Sequence, residues 1–315
     1  MAIILLTADW HLRGDAPICR GNPDNWLDDQ RKSVEQLYDI GIAHHCDEVW
    51  IIGDLFHRSV TATEATNQAL ALLKRFNVRT KVLEGNHDLR HHAFSNRDKS
   101  TIGAIFSLNN VCELRSGIYT DCAMAGTTDP YEDCARVQAY PFGMEPEKIP
   151  SCDIWCTHQL VYPDEESRPL IKDENGNPIK KGVLAEELLE RSDARLILTG
   201  DYHHTFVKHF GDRTVMACGC LNIQARDMAD YTPCCYILDT SDFSLEKIEL
   251  KTFGEIDMNA PILAEAEDYA ETIQLASLPR IDFRAAIEQA VAKAEPQVQA
   301  RVANILEEYD VGQIV

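Results

Sequence analysis

Five short islands of metal-ligating residues stand in a fixed order along this chain; four follow directly on a run of mostly apolar residues, and the third follows Arg79-Thr80-Lys81-Val82-Leu83-Glu84. They are Asp9-Trp10-His11, Gly53-Asp54-Leu55-Phe56-His57-Arg58, Gly85-Asn86-His87-Asp88, Thr157-His158-Gln159 and Gly200-Asp201-Tyr202-His203-His204. Ile3-Ile4-Leu5-Leu6 precedes the first and Val49-Trp50-Ile51-Ile52 the second. Apolar runs of that length read as buried strands. The islands therefore fall at strand exits, in the crevice where open α/β sheets bind ligands. A single Asp-x-His or Asn-His-Asp is more often a capped turn or a satisfied polar cluster. Five together, all rich in the oxygen and nitrogen donors that suit hard or borderline cations, point to a metal site.

The set resembles the calcineurin-like metallophosphoesterases, whose pattern is Asp-x-His, Gly-Asp, Gly-Asn-His-Asp or Glu, a lone His, then Gly-His-x-His. Four islands fit directly. The fifth departs, because Asp201 stands where the family usually has the first His. Leu55-Phe56-His57 after Asp54 is similar to the SbcD-type DNA-repair exonuclease branch, whereas protein phosphatases place an Asp where His57 sits. Thr7-Ala8-Asp9-Trp10-His11-Leu12 points the same way, and the Gly-Asp-x-His variant resembles phage-type members of that branch. The resemblance covers the chain up to about Leu250.

It implies an α/β fold, a four-layer αββα sandwich of two mixed β-sheets flanked by helices. It also implies two divalent metal ions, with Mn2+ the foremost candidate and Mg2+, Fe2+ or Zn2+ as alternatives. Asp54 would bridge them. Asp9, His11 and His203 would complete one site, and Asn86, His158 and Asp201 the other. Two cations about 3.5–4 Å apart clamp a phosphate and acidify a water for in-line attack. His87 is left off the metals and by resemblance stabilises the transition state or protonates the leaving oxygen, work suited to an imidazole. His57 either assists and orients His87 or is a structural residue at a helix start. Asp201 has two other readings: it holds His158 or a metal-bound water, or His204 takes its place as ligand. His44, His45, His91 and His92 fit no ligand position and read as surface or packing residues.

Composition constrains the substrate more than the fold. At 315 residues the length allows one main domain plus an appendage. The apolar fraction is 45%, and no run approaches the roughly 20 residues that span a bilayer. The N-terminus begins as a strand without the features of a signal peptide, so a cytoplasmic protein without membrane attachment is expected. The 11 cysteines are scattered and odd in number, which favours buried free thiols over a disulfide framework. Cys218-Gly219-Cys220 and Cys234-Cys235 lack zinc-site spacing. A net charge of −21 argues against a broad DNA-gripping surface. Two divalent ions would offset this locally. Arg13 and Arg20 after the first island, and Arg168, Lys172, Lys180 and Lys181 after the fourth, are the nearby basic candidates, each individually more common as a solvated surface charge.

Strands alternate with helices over the first hundred residues, a βαβαβ start with helices expected over Asp28–His45 (Val34, Leu37, Tyr38 and Ile42 inward) and Thr63–Phe76 (Ala65, Ala69, Leu72, Leu73 and Phe76 inward). Further on, strands are expected at Ile118–Ala125, Ile154–Thr157, Leu196–Thr199, Thr205–Phe210, Val215–Ala217, Cys235–Leu238 and Leu245–Leu250, with short helices at Glu132–Ala139 and Leu184–Glu190. Asn175-Gly176 predicts a turn, and with it a projecting hairpin or loop over Lys172–Lys181. A metallophosphoesterase domain over 1–253 and a helical C-terminal appendage over 254–315 are expected. In the appendage, Phe283, Ile287 and Val291, then Val298, Val302, Leu306 and Tyr309, recur at helical spacing around Pro296. It would pack on the sandwich or, as SbcD-type nucleases do, dock a separate coiled-coil ATPase, since no Walker motif occurs here. A homodimer is a further expectation.

Three functional readings follow. The first is a phosphodiesterase on DNA, an exonuclease of the SbcD type. The second is a phosphoesterase on cyclic nucleotides, nucleotides or phosphoproteins, which the acidic surface suits better and His57 worse. The third is a scaffold of this fold that has given up catalysis, which would have no need to keep the acidic ligands, Asn86 and His87.

Overall fold

The computed structural model describes residues 2–119, 135–172 and 178–259. From the N-terminus, β1 (Ile3–Thr7) leads through α1 (Trp26–Ala43) to β2 (Glu48–Ile52), and α2 (Thr63–Arg75) leads to β3 (Arg79–Leu83). A short α3 (Ile102–Ile105) precedes β4 (Val111–Glu113). Then come β5 (Gly117–Tyr119), β6 (Ala135–Tyr140), β7 (Ile154–Thr157), β8 (Val161–Tyr162), β9 (Leu170–Lys172), β10 (Pro178–Lys180) and β11 (Val183–Leu184). After α4 (Ala185–Leu189) follow β12 (Leu196–Thr199), β13 (Phe206–Phe210), β14 (Arg213–Ala217), β15 (Cys234–Asp239) and β16 (Ser244–Glu249).

Two mixed six-stranded sheets result, ordered β16-β15-β1-β2-β3-β4 and β13-β14-β12-β7-β6-β5. Strands β1 to β4 run parallel, and β15 and β16 add antiparallel at one edge. In the second sheet β6, β7, β12 and β14 are parallel, with β13 and β5 antiparallel at the edges. Strands β1, β2, β7 and β12 read as nearly continuous apolar runs because both faces are covered. In β1, Leu5 packs outward with Val34 and Leu37 of α1 and Leu73 of α2. Its neighbours Ile4 and Leu6 face the other way, into a central layer with Trp50, Ile52, Ile154, Cys156, Leu198 and Met216 from both sheets. Trp155 and Ile197 cover the far face with Ala185 and Leu188 of α4. This is the expected αββα order. Each large side chain buried this way stabilises the fold by about 1.5–3 kcal/mol relative to exposure.

The helices also follow their sequences. Asp28 and Asp29 sit in the first turn of α1, and α2 carries Glu64 in its first turn with Lys74 and Arg75 in its last, each charge complementing the helix dipole. The predicted inward face of α2 is buried throughout. On α1 Val34 and Leu37 are buried and Tyr38 partly so, but Ile42 is 53% exposed, because the helix ends at Ala43 beyond the reach of the core.

One expected helix is a strand. In place of a helix over Glu132–Ala139, Ala135–Tyr140 forms β6, between β5 and β7. Its burial alternates, with Val137 and Ala139 in the central layer and Arg136 and Gln138 not, which is the two-residue period of a sheet. The hairpin expected over Lys172–Lys181 is present, with β9 and β10 paired antiparallel. Its Asn175-Gly176 turn, the continuation of β5 to Ala125, and the appendage from residue 260 onward lie outside the described residues.

Nine cysteines among the described residues are free and eight of them are buried, as expected for reduced thiols. No helix among the described residues is long and apolar enough to cross a membrane.

A candidate dinuclear metal centre

All five islands converge above the strand ends of the two sheets. The loops after β1 and β2 run side by side: Asp9 N–H donates to Gly53 O (3.1 Å), His11 N–H to Asp54 O (3.0 Å) and Leu12 N–H to Leu55 O (2.9 Å). The fifth island joins them, since Asp201 N–H donates to the Asp9 carboxylate (3.1 Å). Asp9, His11, Asp54 and Asp201 all have positive φ, at 49°, 46°, 49° and 70°. Each such residue costs on the order of 1–3 kcal/mol and persists only where its surroundings over-determine it.

The glycines of the islands exist for close approach. A Cβ on Gly53 would lie 1.8 Å from His158 Nδ1, and one on Gly200 would lie 2.2 Å from the same atom and 2.3 Å from Ile52 O. His158 is completely buried between them. Its Nδ1–H donates to Ile52 O (2.9 Å), which fixes the tautomer and turns Nε2 to the centre. There Nε2 lies 3.1 Å from Asn86 Oδ1, 3.2 Å from Asp54 Oδ2 and 3.9 Å from Asp9 Oδ1.

Two donor groups share Asp9. In Asp9, His11 and His203, and again in Asp9, Asp54 and His158, one donor atom per residue lies within 4.8 Å of the others. His11 Nε2 is 3.0 Å from His203 Nε2 and 3.7 Å from Asp54 Oδ2. Two imidazole nitrogens facing each other at that distance suit a shared cation. A third group joins His11, His57 and His87. Asp201 falls in none of these groups among the described residues; its recorded contact with the centre is through its backbone N–H.

The electrostatics say the same. Burial pushes the Asp9 carboxyl well above its ordinary range, against the pull of His158, and the charges of Asp54 and Asp201 add to the rise. Burial would also raise Asp54, but the charge of His158 beside it holds it well below its ordinary value. His11 and His203 are pushed down by burial and stay neutral, with lone pairs available. Asp9 Oδ2, Asp54 Oδ2 and His11 Nδ1 are buried without a hydrogen bond. Buried carboxylates are normally paired or coordinate metals. The donor set therefore fits divalent cations.

Several supporting contacts are not announced by the sequence. Asp88, fully buried, accepts from the backbone N–H groups of Leu55 (3.2 Å), Phe56 (2.8 Å) and Gly85 (3.0 Å), tying the second island to the third. Two of its three donors lie more than thirty residues away, so no local pattern announces the role. His92, expected to be uninvolved, places Nδ1 2.9 Å from Asn86 O and its ring 6.5 Å from that of His87. His87 donates Nδ1–H to the carbonyl of His57 (2.8 Å), and the two rings stack at 5.5 Å and 21°. His57 Nε2 accepts from Arg13 Nη1 at 2.8 Å. His204 lies against Tyr202 and Tyr231 on an exposed face. Arg20 is not available to a ligand: it is 6% exposed, stacks on Trp26, and donates to Phe253 O and Ile223 O.

Comparisons with solved structures return distant likenesses that span most of the chain. The structure matches TT1561 of Thermus thermophilus over 79% of this chain and 99% of that one (12% identity, TM-score 0.46). It matches a structure described as a novel archaeal phosphodiesterase over the same shares (12% identity, TM-score 0.40). It matches Yfce, a phosphoesterase from E. coli, over 79% and 100% (11% identity, TM-score 0.37). No curated protein matches the sequence. The model of the calcineurin-like phosphoesterase family matches residues 3–205, which include all five islands, and the chain belongs to that metal-dependent family.

Proposed function

We propose that the chain is a dinuclear metal-dependent phosphodiesterase acting on DNA, an exonuclease of the SbcD type. The observation that carries this reading is His57. Its carbonyl receives the Nδ1–H of His87 and its ring stacks on the His87 ring, so the residue that separates the nuclease signature from the phosphatase one braces the candidate acid. Asp9, His11, Asp54 and His203 would hold one cation and Asp54, Asn86, His158 and Asp201 the other, with Mn2+ favoured. When bound, the cations supply charge neutralisation for the phosphate and a water nucleophile at neutral pH. The protein's own contribution is positioning. Fixed at Nδ1 by the His57 carbonyl, His87 presents Nε2 to pass a proton to the leaving oxygen. A separate ATPase partner would dock through residues 254–315.

The second reading, a small-molecule phosphoesterase, rests on the net charge of −21. Purified chain with manganese, assayed on linear DNA, a cyclic dinucleotide and para-nitrophenyl phosphate, separates the two. DNA hydrolysis should dominate, and His57→Asp should lower it more than hydrolysis of a small phosphodiester. Absence of DNA cleavage even with a partner ATPase present would overturn the nuclease reading in favour of the second.

A further inference from the structure

Arg13 follows the first island and is outside the ligand set, yet it is built into the site with care. Gln30 of α1, 1% exposed, grips its backbone from both sides: Oε1 accepts from Arg13 N–H (2.9 Å) and Nε2 donates to Arg13 O (2.8 Å). The guanidinium side chain is only 14% exposed. One of its nitrogens donates to His57 Nε2 at 2.8 Å and another pairs with Asp15. Its Nε is buried without a partner. Withdrawing a cation from water is costly unless it is paired, and here the pairing is shared between Asp15 and the His57 ring. The ring it touches stacks on His87.

We propose that Arg13 is a positioning residue for His87, acting through His57 and held in place by the Gln30 clamp. This rests on the reading of His87 as proton donor to the leaving oxygen. Arg13 fixes the His57 ring by its Nε2, and the fixed ring, with its own carbonyl, sets the plane and direction of the His87 imidazole.

Leaving-group chemistry provides the test. An alkoxide leaving from a dinucleotide needs a proton, whereas a nitrophenolate leaving from bis(4-nitrophenyl) phosphate does not. Arg13→Met keeps the apolar stem. It should lower kcat on a thymidine dinucleotide about ten- to a hundredfold, the scale of a misplacement near 1 Å. KM should be unchanged, and turnover of the aryl diester should stay within about twofold. Arg13→Lys, which keeps a donor, should recover most of the loss. Independently of activity, long-range 15N–1H spectra of the imidazoles in metal-free protein should show the His57 and His87 signals moving in Arg13→Met and returning in Arg13→Lys.

Unchanged His57 and His87 signals would overturn the proposal. So would a raised KM at unchanged kcat, which would make Arg13 a substrate-binding group. His87→Ala on the same two substrates separates the proposal from the reading beneath it. Equal loss on both substrates in His87→Ala would remove the proton-donor role, and the imidazole spectra would then decide the positioning role alone. A leaving-group split in His87→Ala with none in Arg13→Met would sink only the Arg13 proposal.

Discussion

Replacing Asp88 tests how the centre is supported, because its contacts are defined and fully buried. The carboxylate receives three backbone N–H groups, Leu55 and Gly85 on Oδ2 and Phe56 on Oδ1. In Asp88→Ala all three donors lose their acceptor inside the protein. Each orphaned group costs about 1–3 kcal/mol, so the variant should lose at least about 3 kcal/mol. That is a large fraction of the roughly 5–15 kcal/mol that holds a domain together. Asp88→Asn can keep its oxygen at the Oδ2 position and retain two bonds, with its amide facing the Phe56 N–H, for a loss of about 1–3 kcal/mol. Urea unfolding of metal-free protein measures both, and equal m-values would show that the change lies in stability. The Asp54 backbone, at φ 49°, is held by this brace, so manganese affinity by calorimetry should fall about 10–100-fold in either variant. A loss below about 1 kcal/mol in Asp88→Ala, or an Asn variant weaker than the Ala variant, would refute the reasoning.

Other perturbations have distinct signatures. Asp54→Ala should empty both metal positions, while His87→Ala should keep near-normal metal content with turnover down about 10²–10⁴, by metal analysis and kinetics. Asp201→His should keep two metals and shift the activity optimum from manganese towards zinc, since imidazole suits zinc better than a carboxylate does; a single manganese in an anomalous-scattering map of the parent protein, with Asp201 facing away, would sink this. Burial and the Arg13 charge push His57 down from 6.5 to about 3, so its neutral form is the folded one. Its contribution to stability is present above about pH 6.5 and is lost as pH falls towards 3; metal-free protein should lose up to about 1.4 kcal/mol per pH unit more than His57→Phe in that window, by thermal unfolding.

The sandwich is legible in the sequence because β1, β2, β7 and β12 are covered on both faces and so appear as nearly unbroken apolar runs. The islands after these four strands are legible because they follow those runs. β6 is not, because Ala135-Arg-Val-Gln-Ala-Tyr140 is short and contains two alanines, and only its pairing with β7 separates a two-residue period from a helical one. The supporting contacts are invisible for another reason. Asp88 reaches backbone groups, Arg13 reaches His57 across 44 positions and Gln30 reaches Arg13 across 17. Asp88 stands in the Gly-Asn-His-Asp island, but no local pattern in residue type shows which groups any of these side chains reaches. Arg20 shows the converse: a basic residue beside a ligand island looks available in sequence and is buried under Trp26 in the fold.

The charge of the chain bears on how it would hold a polyanion. Basic side chains among the described residues are largely engaged at home: Arg31 with Asp28 and Glu35, Lys32 with Asp28, Arg75 with Glu35, Lys180 with Glu165, Lys208 with Asp164. Arg168 of the insertion donates to Lys181 O and Gly182 O. A nucleic acid bound by the described residues would therefore find compensation chiefly at the metal centre and its immediate rim. Each neutralised phosphate contributes about −0.9 to the slope of log affinity against log salt on duplex and about −0.7 on single strand. Contact confined to about three phosphates predicts a slope of about −2 to −3, shallow for a nuclease. Fluorescence anisotropy of labelled DNA with calcium in place of a catalytic metal, over roughly 50 to 300 mM salt, measures it. A slope steeper than about −6 would mean that an extended basic surface operates outside the centre, and the single-site account of DNA binding would fail.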